Sequence, residues 1–249
     1  MSVAMTDRCG ARETDAWFSV VEIEVSRRCN RRCGYCPQAF DWYRGPEQRM
    51  ERALFDSIIG QLAEVGFSGR LGFHLYNEPL LRKDLDVLVE HARGRLPFAY
   101  FVLYTNGDLL DDRRHGRLLS AGIDHFLVTR HDGGDFPERP FQTVQRPGDF
   151  MLSGRGGIVD GSDRAWTLPC YAPGEMMMIR YTGQVVLCHE DAASRHVMGD
   201  LRDTRLADVW FSRGFQDVRR RLEAGDRAGA GGICTACDNR LHPLPDTGI

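Results

Sequence analysis

Trp17 to Cys36 reads WFSVVEIEVSRRCNRRCGYC. Its first half, up to Ser26, is β-branched and partly alternating, which predicts a strand. Its second half sets Cys29, Cys33 and Cys36 as C-x3-C-x2-C in the loop that follows. Outward from this stretch the same strand-and-helix unit recurs. Leu54, Ile58, Leu62 and Val65 fall at helical spacing and predict a helix over 51–65. Strands follow at 70–76 (RLGFHLY), 98–104 and 125–129, separated by helices at 84–93 and 111–121. Such alternation predicts a parallel sheet with right-handed crossovers, hence an α/β fold. The pattern weakens after Arg130. Residues 132–165 are rich in Gly, Pro and Asp, and one strand is expected there, at 150–153. Beyond Trp166 the style changes. MMMIRYTGQVVLC at 176–188 predicts a hairpin turning at Thr182-Gly183, and 206–222 an amphipathic helix. The chain divides into a lead-in (1–16), a core (17–165) and a small C-terminal unit (166–249).

The 249 residues carry a net charge of −3 and are 42% hydrophobic, ordinary values for a globular protein with a sizeable core. There is no basic excess for a nucleic-acid groove. No apolar run reaches the roughly 18 residues that a membrane span needs. The N-terminus lacks the apolar region of a signal peptide, which places the chain in the cytoplasm. Eight cysteines in a reducing compartment point to metal or redox chemistry rather than to disulfides.

The cysteines fall into two groups. Cys29, Cys33 and Cys36 suit three irons of a [4Fe–4S] cluster with the fourth iron open to another ligand. A zinc knuckle with a distant fourth ligand is the alternative. Cys170, Cys188, Cys234 and Cys237 form the second group, and Cys9 is left over. From residue types alone a structural zinc ribbon competes with a cluster at this second group.

C29-NRR-C33-GY-C36 resembles the cluster loop of the radical S-adenosylmethionine (SAM) superfamily, including the aromatic Tyr35 before the last cysteine. Other family landmarks fall at successive strand ends. Asn77-Glu78-Pro79 resembles the G-E-P element, with Asn in place of Gly. Thr105-Asn106-Gly107 resembles T-N-G, and Ser153-Gly154-Arg155-Gly156-Gly157 resembles N-R-G-G without its Asn. Twelve residues separate Cys170 from Gly183 and four separate Gly183 from Cys188, similar to the opening of the SPASM domain. With only Cys234-x2-Cys237 beyond, the arrangement resembles the shortened twitch domain.

The resemblance implies a partial (β/α)6 barrel followed by a twitch unit of a β-hairpin and a helix. It implies two [4Fe–4S] clusters, one binding SAM on Cys29, Cys33 and Cys36, and one auxiliary on Cys170, Cys188, Cys234 and Cys237. SAM cleavage would give a 5′-deoxyadenosyl radical that takes a hydrogen atom from the substrate. An epimerase must return a hydrogen atom, usually from a thiol, and no cysteine remains for that except Cys9. Oxidation is therefore favoured, with the auxiliary cluster as electron acceptor. The expected activity is dehydrogenation of a secondary alcohol of an aminocyclitol or sugar, in antibiotic biosynthesis. A redox-neutral epimerase is the alternative, and a zinc-stapled binding module the remote one. The electron donor would be of flavodoxin or ferredoxin type, with neither nucleic acid nor membrane as partner.

The resemblance assigns the SAM ammonium to Glu78, beside Asn77, and the adenosyl part to Tyr35 and Asn106, beside Thr105. Thr129, at the end of the fourth strand, would bond the ribose. Tyr76 and Tyr104 directly precede landmarks and should lie at the barrel mouth, where a phenol can meet a substrate ring. Arg155 would bind the SAM carboxylate or a substrate oxygen. His189 and Glu190 follow Cys188 and should face the mouth, with Glu190 holding a substrate hydroxyl or amine. His131 is a further candidate base. Met176, Met177 and Met178 read as packing.

Overall fold

A computed structural model describes residues 17–159 and 167–239. Cys9 and part of the expected junction between the two units lie outside the described residues. Eight strands form one sheet: β1 (Val20–Ile23), β2 (Arg70–Gly72), β3 (Tyr100–Thr105), β4 (His125–Thr129), β5 (Gln142–Gln145), β6 (Met176–Ile179), β7 (Gln184–Val186) and β8 (Val197–Asp200). Their order is β5-β4-β3-β2-β1-β6-β7-β8. From β5 to β6 all pairings are parallel, and β7 and β8 add on antiparallel. The order is open, with β5 and β8 at the edges, and the six parallel strands make the partial barrel.

The helices are α1 (Asp41–Arg44), α2 (Arg52–Glu64), α3 (Leu85–Arg95), α4 (Asp112–Ala121), α5 (Ala172–Glu175), α6 (Leu206–Trp210), α7 (Arg213–Glu223) and α8 (Arg227–Ala230). In α2, Phe55, Ile58, Ile59 and Leu62 are fully buried. Truncating any one of them to Ala is expected to cost roughly 2–5 kcal/mol. Helix α4 starts at Asp111, whose carboxylate accepts from Arg114 N at 2.7 Å, and stops at Gly122 with φ 119°.

β1 explains how the site is built. Val21, Ile23 and Val25 are fully buried, whereas Glu22 and Glu24 point to the opposite face of the strand. That face is the barrel interior, so alternation in VVEIEV puts two carboxylates inside. Glu22 pairs in register with Gly72 on one side and Met178 on the other. A Cβ at Gly72 would lie 1.7 Å from the Glu22 carboxylate, so glycine makes room for it. Glu24 Oε2 accepts from Arg180 Nε at 2.7 Å, and Arg180 also donates to Tyr43 Oη and to Ala192 O. This buried ion pair ties β1 to the turn after β6.

The structure departs from the sequence expectations at three places. Residues 150–153 are irregular, and the fifth strand is Gln142–Gln145. Its sequence, QTVQ, has no apolar face because it is an edge strand whose inner side meets the cleft. The expected helix at 206–222 is two, α6 and α7, broken where Ser212 caps Phe215 N. The hairpin turns at Gly183, with φ 95°, but its first strand, β6, lies parallel to β1 within the barrel sheet. A third strand, β8, extends the hairpin. Among the described residues no helix is long and apolar enough to cross a membrane.

Candidate active site

Parallel strands deliver their C-terminal ends to one side of the sheet, and loops leaving those ends build a common cleft. Here that cleft has a volume of about 370 Å³. Cys29, Cys33 and Cys36 line it from the loop after β1. Tyr35, Tyr76, Asn77, Glu78, Tyr104, Thr105, Asn106, Thr129, His131, Arg155 and His189 line it as well. The structure thus gathers into one cavity residues spread from 29 to 189 in sequence.

Burial pushes the Cys29 thiol up to about 12, helped by the Glu78 charge and the other two thiols. Cys33 and Cys36 are also raised by burial. Three protonated thiols crowded at a half-exposed wall fit a cluster whose irons displace the protons. Arg31 N points at Cys29 Sγ at 3.4 Å, and Asn106 Nδ2 at 3.7 Å.

Glu78 is 2% exposed. Its carboxylate accepts from Leu80 N at 3.0 Å, Thr105 Oγ1 at 2.8 Å and Asn106 N at 2.8 Å. Burial raises its pKa against these bonds. A carboxylate fixed on three sides beside Cys29, with capacity for a further donor, suits an ammonium group. Its neighbours have other jobs. Asn77 Oδ1 accepts from Leu75 N at 3.0 Å and so shapes the turn. Asn106 Nδ2 donates to Asn30 Oδ1 at 2.8 Å, tying β3 to the cysteine loop. Thr129 Oγ1 accepts from Gln145 Nε2 at 2.8 Å.

Tyr35 Oη and His131 Nδ1 are hydrogen-bonded across the cleft. Burial holds His131 below the ordinary imidazole range, aided by Arg31, which keeps it neutral. Tyr76 lines the cleft, but its hydroxyl donates to His189 O. Tyr104 stacks on His74 with centroids 4.2 Å apart. Arg155, at φ 51°, carries its guanidinium 5.7 Å from the Tyr76 ring centre.

Glu190 is placed differently from expectation. It does not line the cleft and is 2% exposed. Its carboxylate accepts from Ser153 Oγ at 2.7 Å and from Asn239 Nδ2 at 2.6 Å, and lies 3.5 Å from Arg155 Nη1. Burial alone would raise its pKa, but His189, Arg155 and Ser153 pull it well below the ordinary carboxylate range. The tight turn after Cys188, where Asp191 N bonds Cys188 O, rotates the side chain inward. Glu190 thus meets Ser153 and Arg155 and is not among the residues that line the cleft.

Cys170, Cys188, Cys234 and Cys237 line a second cavity, of about 10 Å³, together with His189, Glu190 and Asn239. All four are buried, and burial raises each thiol with further push from its neighbours. Four cysteine thiolates are the donor set of a closed [4Fe–4S] site. The donor set fits one fully ligated cluster. His189 lines both cavities and is their shared wall.

The sequence reading missed Glu22, Arg70 and His74, which line the inner end of the cleft. His74 Nδ1 lies 3.1 Å from Glu22 Oε2. The available signal was polar residues inside strands that otherwise read as buried. It also missed Asn239 and Asp238, which bond Glu190 and Gly154 N from just beyond the last cysteine.

Comparison with known proteins agrees with this geometry. Residues 23–147 match the model of the radical SAM superfamily, and residues 170–238 that of an iron–sulfur cluster-binding domain, SPASM. The chain is 35% identical over 241 residues to an S-adenosyl-L-methionine-dependent 2-deoxy-scyllo-inosamine dehydrogenase of Niallia circulans. That alignment covers 90% of this chain and 94% of the relative. The crystal structure of BtrN in complex with AdoMet and 2-DOIA superposes with a TM-score of 0.84 at 34% identity. It covers 91% of this chain and 95% of that one. Streptococcus suis SuiB bound to its precursor peptide SuiA shares the fold alone, with a TM-score of 0.56 at 12% identity over 88% of this chain and 71% of that one.

Proposed function

The chain belongs to the radical SAM superfamily, and from that premise we propose that it oxidises a secondary alcohol of an aminocyclitol or related amino sugar to a ketone, within a natural-product pathway. Its cofactors are SAM and two [4Fe–4S] clusters. Cys29, Cys33 and Cys36 would hold the first cluster, and Cys170, Cys188, Cys234 and Cys237 the second. When bound, these groups supply the species that removes a hydrogen atom and the acceptor for the second electron.

The chain's own residues bind, orient and exclude. Glu78 would receive the SAM ammonium on its open side, while Leu80 N, Thr105 and Asn106 prevent it from turning away. Tyr35 and His131 would flank the adenosyl part at the mouth. At the inner end, Glu22 and His74 would take the substrate amine or a hydroxyl, with Tyr104 packed behind the imidazole. Arg155 would point its guanidinium at the hydroxyl oxygen on the carbon being oxidised and stabilise that oxygen as its proton leaves. Arg155 is a poor base, and His74, whose Nδ1 lies 3.1 Å from Glu22 Oε2, is the cleft imidazole that would receive the proton.

The observation that carries this reading is the shared wall. His189 lines both a cleft with three half-exposed thiols and a small cavity with four buried ones. The acceptor site would thus border the substrate site through this residue. All seven described thiols line one or other of these cavities, so among the described residues no further thiol is at hand to return a hydrogen atom.

The test is anaerobic turnover of the reconstituted enzyme with SAM and a panel of aminocyclitols in D2O. We expect a ketone, with SAM consumed in step. An epimerised product carrying solvent deuterium at carbon would overturn oxidation. The electron entering the first cluster would come from a flavodoxin- or ferredoxin-type donor, in a reducing cytoplasm that suits a chain with eight cysteines.

A further inference from the structure

The segment that bears the first three thiols is strongly cationic on its outer side. Between residues 27 and 49 lie Arg27, Arg28, Arg31, Arg32, Arg44 and Arg49 against two acids, Asp41 and Glu47, in a chain of net charge −3. Each acid is taken by one arginine: Asp41 by Arg32 at 2.6 Å and Glu47 by Arg49 at 2.6 Å. Arg31 is held by Asp108 and Asp132 at the cleft mouth. Among the described residues, Arg27, Arg28 and Arg44 have no carboxylate partner. Arg49, Arg28 and Lys83 all lower the pKa of the Glu47 carboxyl, so these three cations lie near one another around it.

An aromatic group stands out of the same segment. Trp42 is 57% exposed, stacked on Phe40 with centroids 6.0 Å apart and edge-on to Tyr43 at 5.8 Å. It is mechanically close to the thiols. Ala39 N bonds Cys36 O at 2.9 Å, Phe40 N bonds Pro37 O at 3.1 Å, and α1 follows at once. An exposed indole in a segment with more arginines than carboxylates has the composition of an interface centre, since aromatics and Arg are enriched there. The cleft lies on the inner side of the same cysteine loop.

We propose that the outer face of residues 27–49, centred on Trp42 and framed by Arg28, Arg44, Arg49 and Lys83, is the docking surface for an acidic one-electron carrier protein that reduces the cluster on Cys29, Cys33 and Cys36. This rests on the function proposed above, which needs one electron delivered from outside the chain. Positive charge on an otherwise acidic protein steers a negative partner to this face, and a small aromatic contact suits a transient redox encounter.

The test uses the full reconstituted chain, with a reduced flavodoxin as one electron source and dithionite as the other, and reads the rate of SAM cleavage. In the wild type the flavodoxin-driven rate should fall about tenfold between low and high salt, as screening shortens the reach of the charges. The dithionite-driven rate should stay level. Arg28→Glu and Trp42→Ala should each lower the flavodoxin-driven rate by about tenfold and leave the dithionite-driven rate intact, and Arg28→Lys should behave as wild type. A flavodoxin-driven rate indifferent to salt, or unchanged in both variants, overturns the docking surface. If a variant loses both rates, the wild-type salt response and Arg28→Lys decide between the same two outcomes. Failure of the wild type to cleave SAM with dithionite overturns instead the function on which the proposal rests.

Discussion

Cys29, Cys33 and Cys36 stand half-exposed on the wall of a 370 Å³ cleft, whereas Cys170, Cys188, Cys234 and Cys237 close around a cavity of about 10 Å³. The first group sits on a loop between a strand and a short turn, with polar side chains around it. The second is pinned from three directions, by the chain before α5, the strand end after β7 and the turn after α8, amid Leu187, Leu222 and Ile233. The difference is what an exchange site and a closed site require. Three thiols beside open space leave room for a ligand that enters and leaves. Four buried thiols would hold a cluster with every iron ligated by protein, leaving it electron transfer as its chemistry.

The strongest way to break this comparison is to delete each set. Replacing Cys29, Cys33 and Cys36 with Ala should abolish SAM cleavage altogether. Iron content should fall from about eight to about four per chain. Iron and sulfide analysis with a cleavage assay checks both, and residual cleavage would show that the open site is misassigned. Replacing Cys234 and Cys237 with Ala should spare SAM cleavage while abolishing the ketone. Full ketone yield in that variant would remove the electron-acceptor role from the closed site.

Smaller changes sharpen the comparison. Glu78→Gln keeps the size of the side chain and removes the charge, so SAM should bind about 10- to 100-fold more weakly, read by equilibrium binding. The closed site should be untouched, with its iron retained. Glu22→Gln should raise KM for an aminocyclitol by about tenfold with SAM binding unchanged. The thiols themselves predict a pH effect. Burial holds Cys29 and Cys234 at about 12 and Cys237 at about 11, so iron must displace protons at both sites. Cluster assembly should release acid and proceed more slowly as pH falls from about 8.5 to 6.5, followed by absorbance and proton release. Assembly indifferent to pH would mean the thiolates are already stabilised in the empty protein.

Much of the open half was legible because its signals are local. C-x3-C-x2-C, Asn77-Glu78-Pro79 and Thr105-Asn106-Gly107 each lie in one loop after one strand, and parallel strands bring those loops together without further instruction. Glu22 and His74 escaped because their meaning is a matter of register. A carboxylate in a hydrophobic strand shows its role only when Gly72 and Met178 are seen beside it. Strand β5 escaped because QTVQ on a sheet edge has no apolar pattern to read. Glu190 was expected in the mouth because it follows a cluster ligand. The turn at Cys188–Asp191 sends it inward to Ser153, Arg155 and Asn239, contacts made 35 to 49 residues away.

The sequence by itself determined the alternation of strands and helices, the two cysteine groups and the strand-end landmarks, since each depends on periodicity or spacing within a short stretch. Tertiary structure alone decided that β6 joins β1 in the barrel sheet and that His189 stands between the two cavities. It also decided that Glu190 turns to Arg155 and away from the cleft lining. Those outcomes rest on strand register and on close packing between segments far apart in the chain, where the partner of a side chain is fixed by the fold and not by its neighbours in sequence.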